Sequence, residues 1–294
     1  MKKVVILGCG FVGARTAALF AQAGWDTIGV TRSATSAAAL AASPYRVIAC
    51  DITNPQSLST ARELQGADAV ISAVSSGRRG EGTYREVYLN GLQNAITSLT
   101  PAHVLFVSST SVYAQNDGSW VTEESPADPL PATARILREA EDLALAHGGI
   151  AARLSGIYGA GRSILLQRFL SKTAFIEGDG SRHINQIHAD DAAAALFHLI
   201  VHDLPTGIYN VSDGHPLTQL ACYQWLAARL SQPLPPSGPV DPHRKRGVTD
   251  KRVSNTKLRS LGWTLTYPSF QEAVTRDAAL LAGARAGGTG DAQP

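Results

Sequence analysis

Lys2-Lys3-Val4-Val5-Ile6-Leu7-Gly8-Cys9-Gly10-Phe11-Val12-Gly13 opens the chain, and the fold follows from how this stretch is read. Two charges followed by an unbroken apolar run predict a strand buried on both faces, as in a parallel sheet. The three glycines then stand in G-x-G-x-x-G spacing, ahead of a helix-like stretch through Phe20 to Gly24. They serve different ends. Gly8 allows the tight turn, Gly10 lets a pyrophosphate approach the backbone, and Gly13 lets helix and strand pack closely. Phe11 and Val12 lead into a helix N-terminus that faces the anion. A glycine-rich turn without ligand could carry the same residues, but the strand-turn-helix context favours a bound dinucleotide.

The second strand, Asp26 to Val30, ends in Thr31, Arg32 and Ser33. An NAD-binding unit places an acid there for the ribose diol, and that acid would repel a 2′-phosphate. A guanidinium and two hydroxyls can instead pair with the phosphate, so NADP(H) is the expected cofactor.

Strand and helix keep alternating. Tyr45 to Cys50, Asp68 to Ala73, His103 to Val107 and Ile150 to Arg153 read as strands, whereas Thr83 to Leu99 and Arg135 to Ala146 read as long helices. This pattern predicts an α/β fold of the Rossmann type, a doubly wound parallel sheet with ligands at the strand C-termini. From Ile164 the alternation loosens. The expectation is a dinucleotide-binding domain over 1–160, a smaller C-terminal substrate-binding lobe over 161–283, and a disordered tail over 284–294.

At 294 residues with a formal net charge of +2, the chain gives no reason to expect nucleic acid or a membrane surface as partner. No apolar run approaches the roughly 20 residues of a membrane span. The fold begins beside Met1, which predicts a cytoplasmic location. Cys9, Cys50 and Cys222 are scattered and form no C-x-x-C pair, so neither a disulfide framework nor a metal is expected. His198 and His202 have helical spacing but lack a third ligand. The expected partner is a small-molecule substrate, with the oligomeric state open between monomer and homodimer.

Several blocks resemble the extended and atypical short-chain dehydrogenase/reductases of the NAD(P)-dependent epimerase/dehydratase type. They are Gly8 to Gly13, Cys50 to Thr53, Val107-Ser108-Ser109-Thr110-Ser111-Val112-Tyr113, Arg153 to Arg162, Ile187 to Asp191 and Tyr209 to Ser212. The resemblance implies that Asp51 and Ile52 contact adenine, that Ala73, Val74 and Ser75 lie beside the ribose, and that Ser108 reaches the nicotinamide. It makes Ser109 the match to the family's catalytic serine or threonine.

Departures from the family limit what carries over. No lysine occurs between Lys3 and Lys172, and no tyrosine between Tyr113 and Tyr158, so the Tyr-x-x-x-Lys dyad is missing. That dyad matters because an ammonium lowers the phenol pKa toward working pH. Thr110 and Ser111 occupy the place of the dehydratase acid pair, which argues against sugar 4,6-dehydration. Tyr113 and Tyr158, each beyond a strand end, are the remaining candidate proton donors beside Ser109. Arg78, Thr110, Asn185 and His188 are the substrate-binding candidates, and the basic run His243-Arg244-Lys245-Arg246 reads as a solvated turn. The leading expectation is an NADP(H)-dependent oxidoreductase or epimerase acting on a small polar carbonyl, imine or sugar-like substrate. The alternative is a non-catalytic NADP(H)-binding redox sensor or scaffold.

Overall fold

The computed structural model describes residues 1–77, 81–240 and 249–286. Arg78 and the run His243 to Arg246 lie outside the described residues. The chain forms two compact units that are interleaved in sequence. The first comprises 1–112, 127–153 and 192–209; the second comprises 113–126, 154–191 and 210 onward. This differs from a single boundary near residue 160, because a helix and a strand beyond residue 190 return to the first unit.

The first unit is built on a seven-stranded parallel sheet. Its strands, in chain order, begin with β1 (Lys3–Leu7), β2 (Asp26–Thr31), β3 (Arg46–Ala49), β4 (Ala69–Ser72) and β5 (His103–Ser109). A two-residue β6 (Trp120–Val121) belongs to the second unit, and β7 (Ile150–Leu154) resumes the sheet. The short strands β8 (Gly156–Tyr158), β9 (Ile176–Glu177), β10 (His183–Ile184) and β11 (Gln186–His188) follow in the second unit, and β12 (Gly207–Val211) closes the sheet. The spatial order is β12-β7-β5-β4-β1-β2-β3, so strand order reverses between β1 and β4. That reversal opens the crevice where doubly wound sheets bind ligands.

Val4, Val5, Ile6 and Leu7 of β1 are all fully buried, each stabilising the fold by roughly 1.5–3 kcal/mol. The flanking helices are α1 (Gly13–Gln22), α2 (Ala34–Ala39), α3 (Pro55–Thr60), α4 (Glu81–Arg85), α5 (Gly91–Leu99) and α6 (Ala132–Ala146). Asn54 caps α3 by accepting the Gln56 N–H, and Pro55 occupies its first turn. The helix expected from Thr83 to Leu99 forms, and the chain stays helical throughout it. A π-helical turn over Glu86–Asn90 joins α4 to α5, a shift of hydrogen-bond register that leaves no mark on hydrophobic periodicity.

In the second unit, α7 (Ile164–Leu170), α9 (Gln219–Leu230), α11 (Phe270–Arg276) and α12 (Ala278–Ala286) enclose a core of Leu166, Phe169, Cys222, Tyr223, Leu226, Phe270 and Leu280. That unit also holds β13 (Leu217–Thr218), β14 (Ser237–Gly238), β15 (Arg252–Val253) and α10 (Thr256–Ser260), whereas α8 (Ala189–Val201) lies almost wholly in the first. Residues 284–286, expected in a disordered tail, instead end α12, and Ala284 is buried. No helix among the described residues is long and apolar enough to cross a membrane.

Candidate functional site

Steric demands at the three glycines differ, and the differences match their separate roles. Gly8 has φ +90, and a Cβ there would lie 2.7 Å from the Ala73 carbonyl oxygen and the Val74 Cα. Any side chain would push β1 away from β4 at the sheet's reversal. A Cβ on Gly13 would collide with the Gly8 carbonyl. At Gly10, by contrast, a Cβ would meet nothing within 4 Å. The fold itself does not need that glycine, so the open space beside it fits a ligand that approaches the backbone.

Helix α1 begins without a side-chain cap and without an acid in its first turn. Its leading N–H groups and positive dipole end are therefore matched to an anion. Arg15, on the same turn, donates to the Phe11 carbonyl at 2.6 Å and stacks 4.4 Å over the Phe11 ring. Sequence pattern gives neither contact; its one signal is a basic residue two positions past the last glycine. Cys9 is buried with its thiol pushed up to about 11 by burial, the Val30 and Tyr45 hydrogen bonds opposing. It packs as a small apolar residue.

At the end of β2, Thr31 donates to the Ser33 carbonyl (3.2 Å), and Ser33 caps α2 through Ser36 N–H (3.2 Å). Both hydroxyls thus serve the turn. Arg32 is exposed and makes no ion pair or side-chain hydrogen bond among the described residues. Asp51 turns its carboxylate onto Thr53, 3.0 Å from its N–H and 2.8 Å from its hydroxyl, and Asn94 pins the Ile52 and Thr53 carbonyls. Ala73 and Val74 are half-buried and Ser75 exposed beside Gly8 at the β4 end.

Beyond β5 the polar groups are organised around Glu141 of α6, which is completely buried. Its carboxylate accepts the Ser108 hydroxyl (2.5 Å), Arg153 Nε (3.0 Å) and Nη2 (2.7 Å), and Arg138 Nη1, which extends the network to Asp142. Ser108, expected at the nicotinamide, has spent its hydroxyl here, leaving its main chain for any cofactor contact. Arg138 is likewise committed, and Arg135 donates to the Leu130 carbonyl. Ser109 is half-buried and accepts the Ser111 N–H (3.1 Å), while Thr110 is buried in the following 3-10 turn.

In the second unit the two candidate phenols are closed in. Tyr113 is fully buried, its hydroxyl 2.8 Å from the Thr122 carbonyl and 2.9 Å from Asn210 Oδ1. Tyr158 is 2% exposed, and its hydroxyl has no hydrogen-bond partner among the described residues. Burial, with the charges of Asp213 and Asp191 adding, pushes that phenol far above its ordinary range. His188 packs edge-on against Tyr158 at 5.3 Å, faces Asp277 through Nε2 at 3.3 Å, and accepts the Asp190 N–H through Nδ1. It fixes the start of α8. Asn185 spends its amide on the Lys251 carbonyl (2.8 Å) and the Val253 N–H (2.7 Å). Among the described residues no group of three or more His, Cys, Asp or Glu could hold a metal.

Asp213 is buried beside this cluster, and its carboxyl is pushed up to about 7 by burial, opposed by the His215 N–H and reinforced by Asp191. An acid whose folded pKa exceeds its unfolded one holds more protons when folded. Stability is therefore full below about pH 4 and falls as pH rises to about 7. Asp213→Asn keeps an acceptor for His215 and removes the charge. It should stabilise the protein by about 2–4 kcal/mol at pH 8 and leave it unchanged near pH 4, read by urea unfolding. A variant no more stable than the parent at pH 8 would show that Asp213 ionises freely.

Fold and crevice together define a dinucleotide-binding protein of the doubly wound class. A model of the NAD dependent epimerase/dehydratase family matches residues 4–212, and the chain belongs to that family. Protein YeeZ of Escherichia coli strain K12 is 29% identical over 280 residues, covering 91% of this chain and 97% of its own. A structure from Methylobacillus flagellatus, described as a candidate NAD-dependent epimerase/dehydratase, is 29% identical with a TM-score of 0.78, covering 97% of this chain and 99% of its own. The dTDP-glucose 4,6-dehydratase DesIV of Streptomyces venezuelae, solved with NAD bound, shares the fold at 20% identity and a TM-score of 0.79, with 97% of each chain covered.

Proposed function

We propose that the protein is an NADP(H)-dependent oxidoreductase or epimerase acting on a small polar carbonyl, imine or sugar-like substrate. The observation that carries this reading is the cradle around Gly10, open where a Cβ would go and backed by the uncapped α1. Family membership supports a dinucleotide, and the exposed Arg32 at the β2 end supports the phosphorylated one. When bound, a nicotinamide supplies or accepts the hydride.

The chain's own share is to hold that cofactor and handle a proton. Tyr113 is tied to two acceptors, and Tyr158 is buried with a strongly raised pKa, which leaves Ser109 as the candidate of choice. Its oxygen accepts the Ser111 N–H, and its hydroxyl hydrogen remains available to donate. Thr110 and Ser111 in place of an acid pair weigh against dehydration despite the likeness to DesIV. The missing dyad and the enclosed phenols favour the second reading, a non-catalytic NADP(H)-binding sensor.

Titration by nucleotide fluorescence should give NADPH at least about tenfold tighter binding than NADH, a difference of about 1.4 kcal/mol. Arg32→Asp should invert the order by removing the phosphate partner and adding a ribose acceptor. Equal affinities in the parent would remove the NADP(H) assignment, and no binding of either would remove the function.

A further inference from the structure

Lys251 directly precedes β15 and is 6% exposed. Its ammonium donates to the Tyr113 carbonyl at 3.1 Å and the Thr249 hydroxyl at 2.5 Å. Both acceptors are neutral. An ammonium has three donors, and neither a third acceptor nor a carboxylate within ion-pair distance is present among the described residues.

The neighbouring charges are engaged elsewhere. Asp250 Oδ1 accepts both the His183 backbone N–H and ring Nδ1 at 2.8 Å. Arg252 donates to the Gly118 carbonyl and stacks 5.2 Å over Trp120.

A buried ammonium without a counter-ion is costly, and an apolar side chain of similar length would avoid that cost. Burial lowers the Lys251 pKa to about 8, with only the Asp250 charge opposing. The frame around it is nonetheless stiff. Asn185 bonds the main chain on both sides, and the Arg252 and Ser254 N–H groups donate to the Ser119 and Val121 carbonyls. A charge kept at such cost on a fixed frame is the signature of a group awaiting its partner.

We propose that Lys251 is a ligand-binding ammonium whose open N–H takes a compact oxyanion, the carboxylate or phosphate of a small-molecule substrate. The inference rests on the reading of the protein as a substrate-taking enzyme. The anion supplies the missing counter-charge, so binding and protonation of Lys251 reinforce one another. Anion affinity falls by up to about tenfold per pH unit above the lysine's own pKa.

The test is an NMR titration of the lysine Cε signals of the full chain labelled with ¹³C-lysine, a probe that leaves all three N–H donors of Lys251 in place. The Lys251 signal is assigned by its loss in Lys251→Arg. It should titrate below those of the exposed Lys2 and Lys172, and move upward by at least about half a pH unit with inorganic phosphate or acetate at matched ionic strength. Response to one anion alone identifies the group. No response to either would overturn the proposal. NADPH titration of the same sample separates the two readings. An anion shift without NADPH binding refutes the oxidoreductase and keeps the site, whereas NADPH binding without the shift refutes the site alone.

Discussion

Replacing Glu141 by alanine is expected to lower stability by about 3–5 kcal/mol in urea unfolding, a large share of the roughly 5–15 kcal/mol that holds a folded chain. The reason is what stays behind. Arg153 lies 1% exposed inside β7, and its Nε and Nη2 both point at the deleted carboxylate. Ser108 loses its acceptor as well. Exchanging both charges, Glu141→Leu with Arg153→Met, should recover most of the loss, since an apolar pair of similar volume leaves no buried charge uncompensated. A loss of under about 1 kcal/mol in the single variant would mean that Arg153 finds another acceptor.

Gly10→Val is expected to leave stability nearly unchanged and to weaken dinucleotide binding by about 100-fold, or about 2.7 kcal/mol. Its backbone lies outside the left-handed region, and a Cβ there touches nothing. The new side chain fills only the open space that the proposed function gives to the pyrophosphate. Gly13→Ala provides the contrast, because its methyl meets the Gly8 carbonyl and the loop itself must distort. Calorimetric titration of Gly10→Val with NADPH gives the result, and parental affinity would place the cofactor away from this loop.

These two sites are unequally visible in the sequence. The fingerprint around Gly10 is local: an apolar run, three spaced glycines and a helix lie within about twenty residues, so strand, turn and anion site can be read together. Glu141 gives no such signal. On α6 it reads as one more charge with helical neighbours, and Ser108 stands thirty-three positions away. The only clue is Arg153 within the otherwise apolar stretch from Ile150 to Leu154. Tyr113 and Tyr158 look available because loops beyond strand ends are usually wet, and only the packing of the second unit shows them enclosed. Lys251 sits between Asp250 and Arg252, where a charged run reads as solvated surface. Its burial depends on β6 pairing with β15, a contact between distant parts of the chain that lies beyond the reach of local pattern.

The interleaving of the two units bears on how the chain is made. Synthesis proceeds from the N-terminus, and by residue 160 a ribosome has delivered six of the seven sheet strands but neither the 192–209 stretch nor β12. Until those residues emerge, β7 is an unprotected edge, open to pairing with another nascent chain. The nucleotide-binding half therefore cannot be completed ahead of the rest, and a fragment ending near residue 160 would expose that edge permanently. The last strand added, β12, covers β7 and becomes the edge of the finished sheet itself.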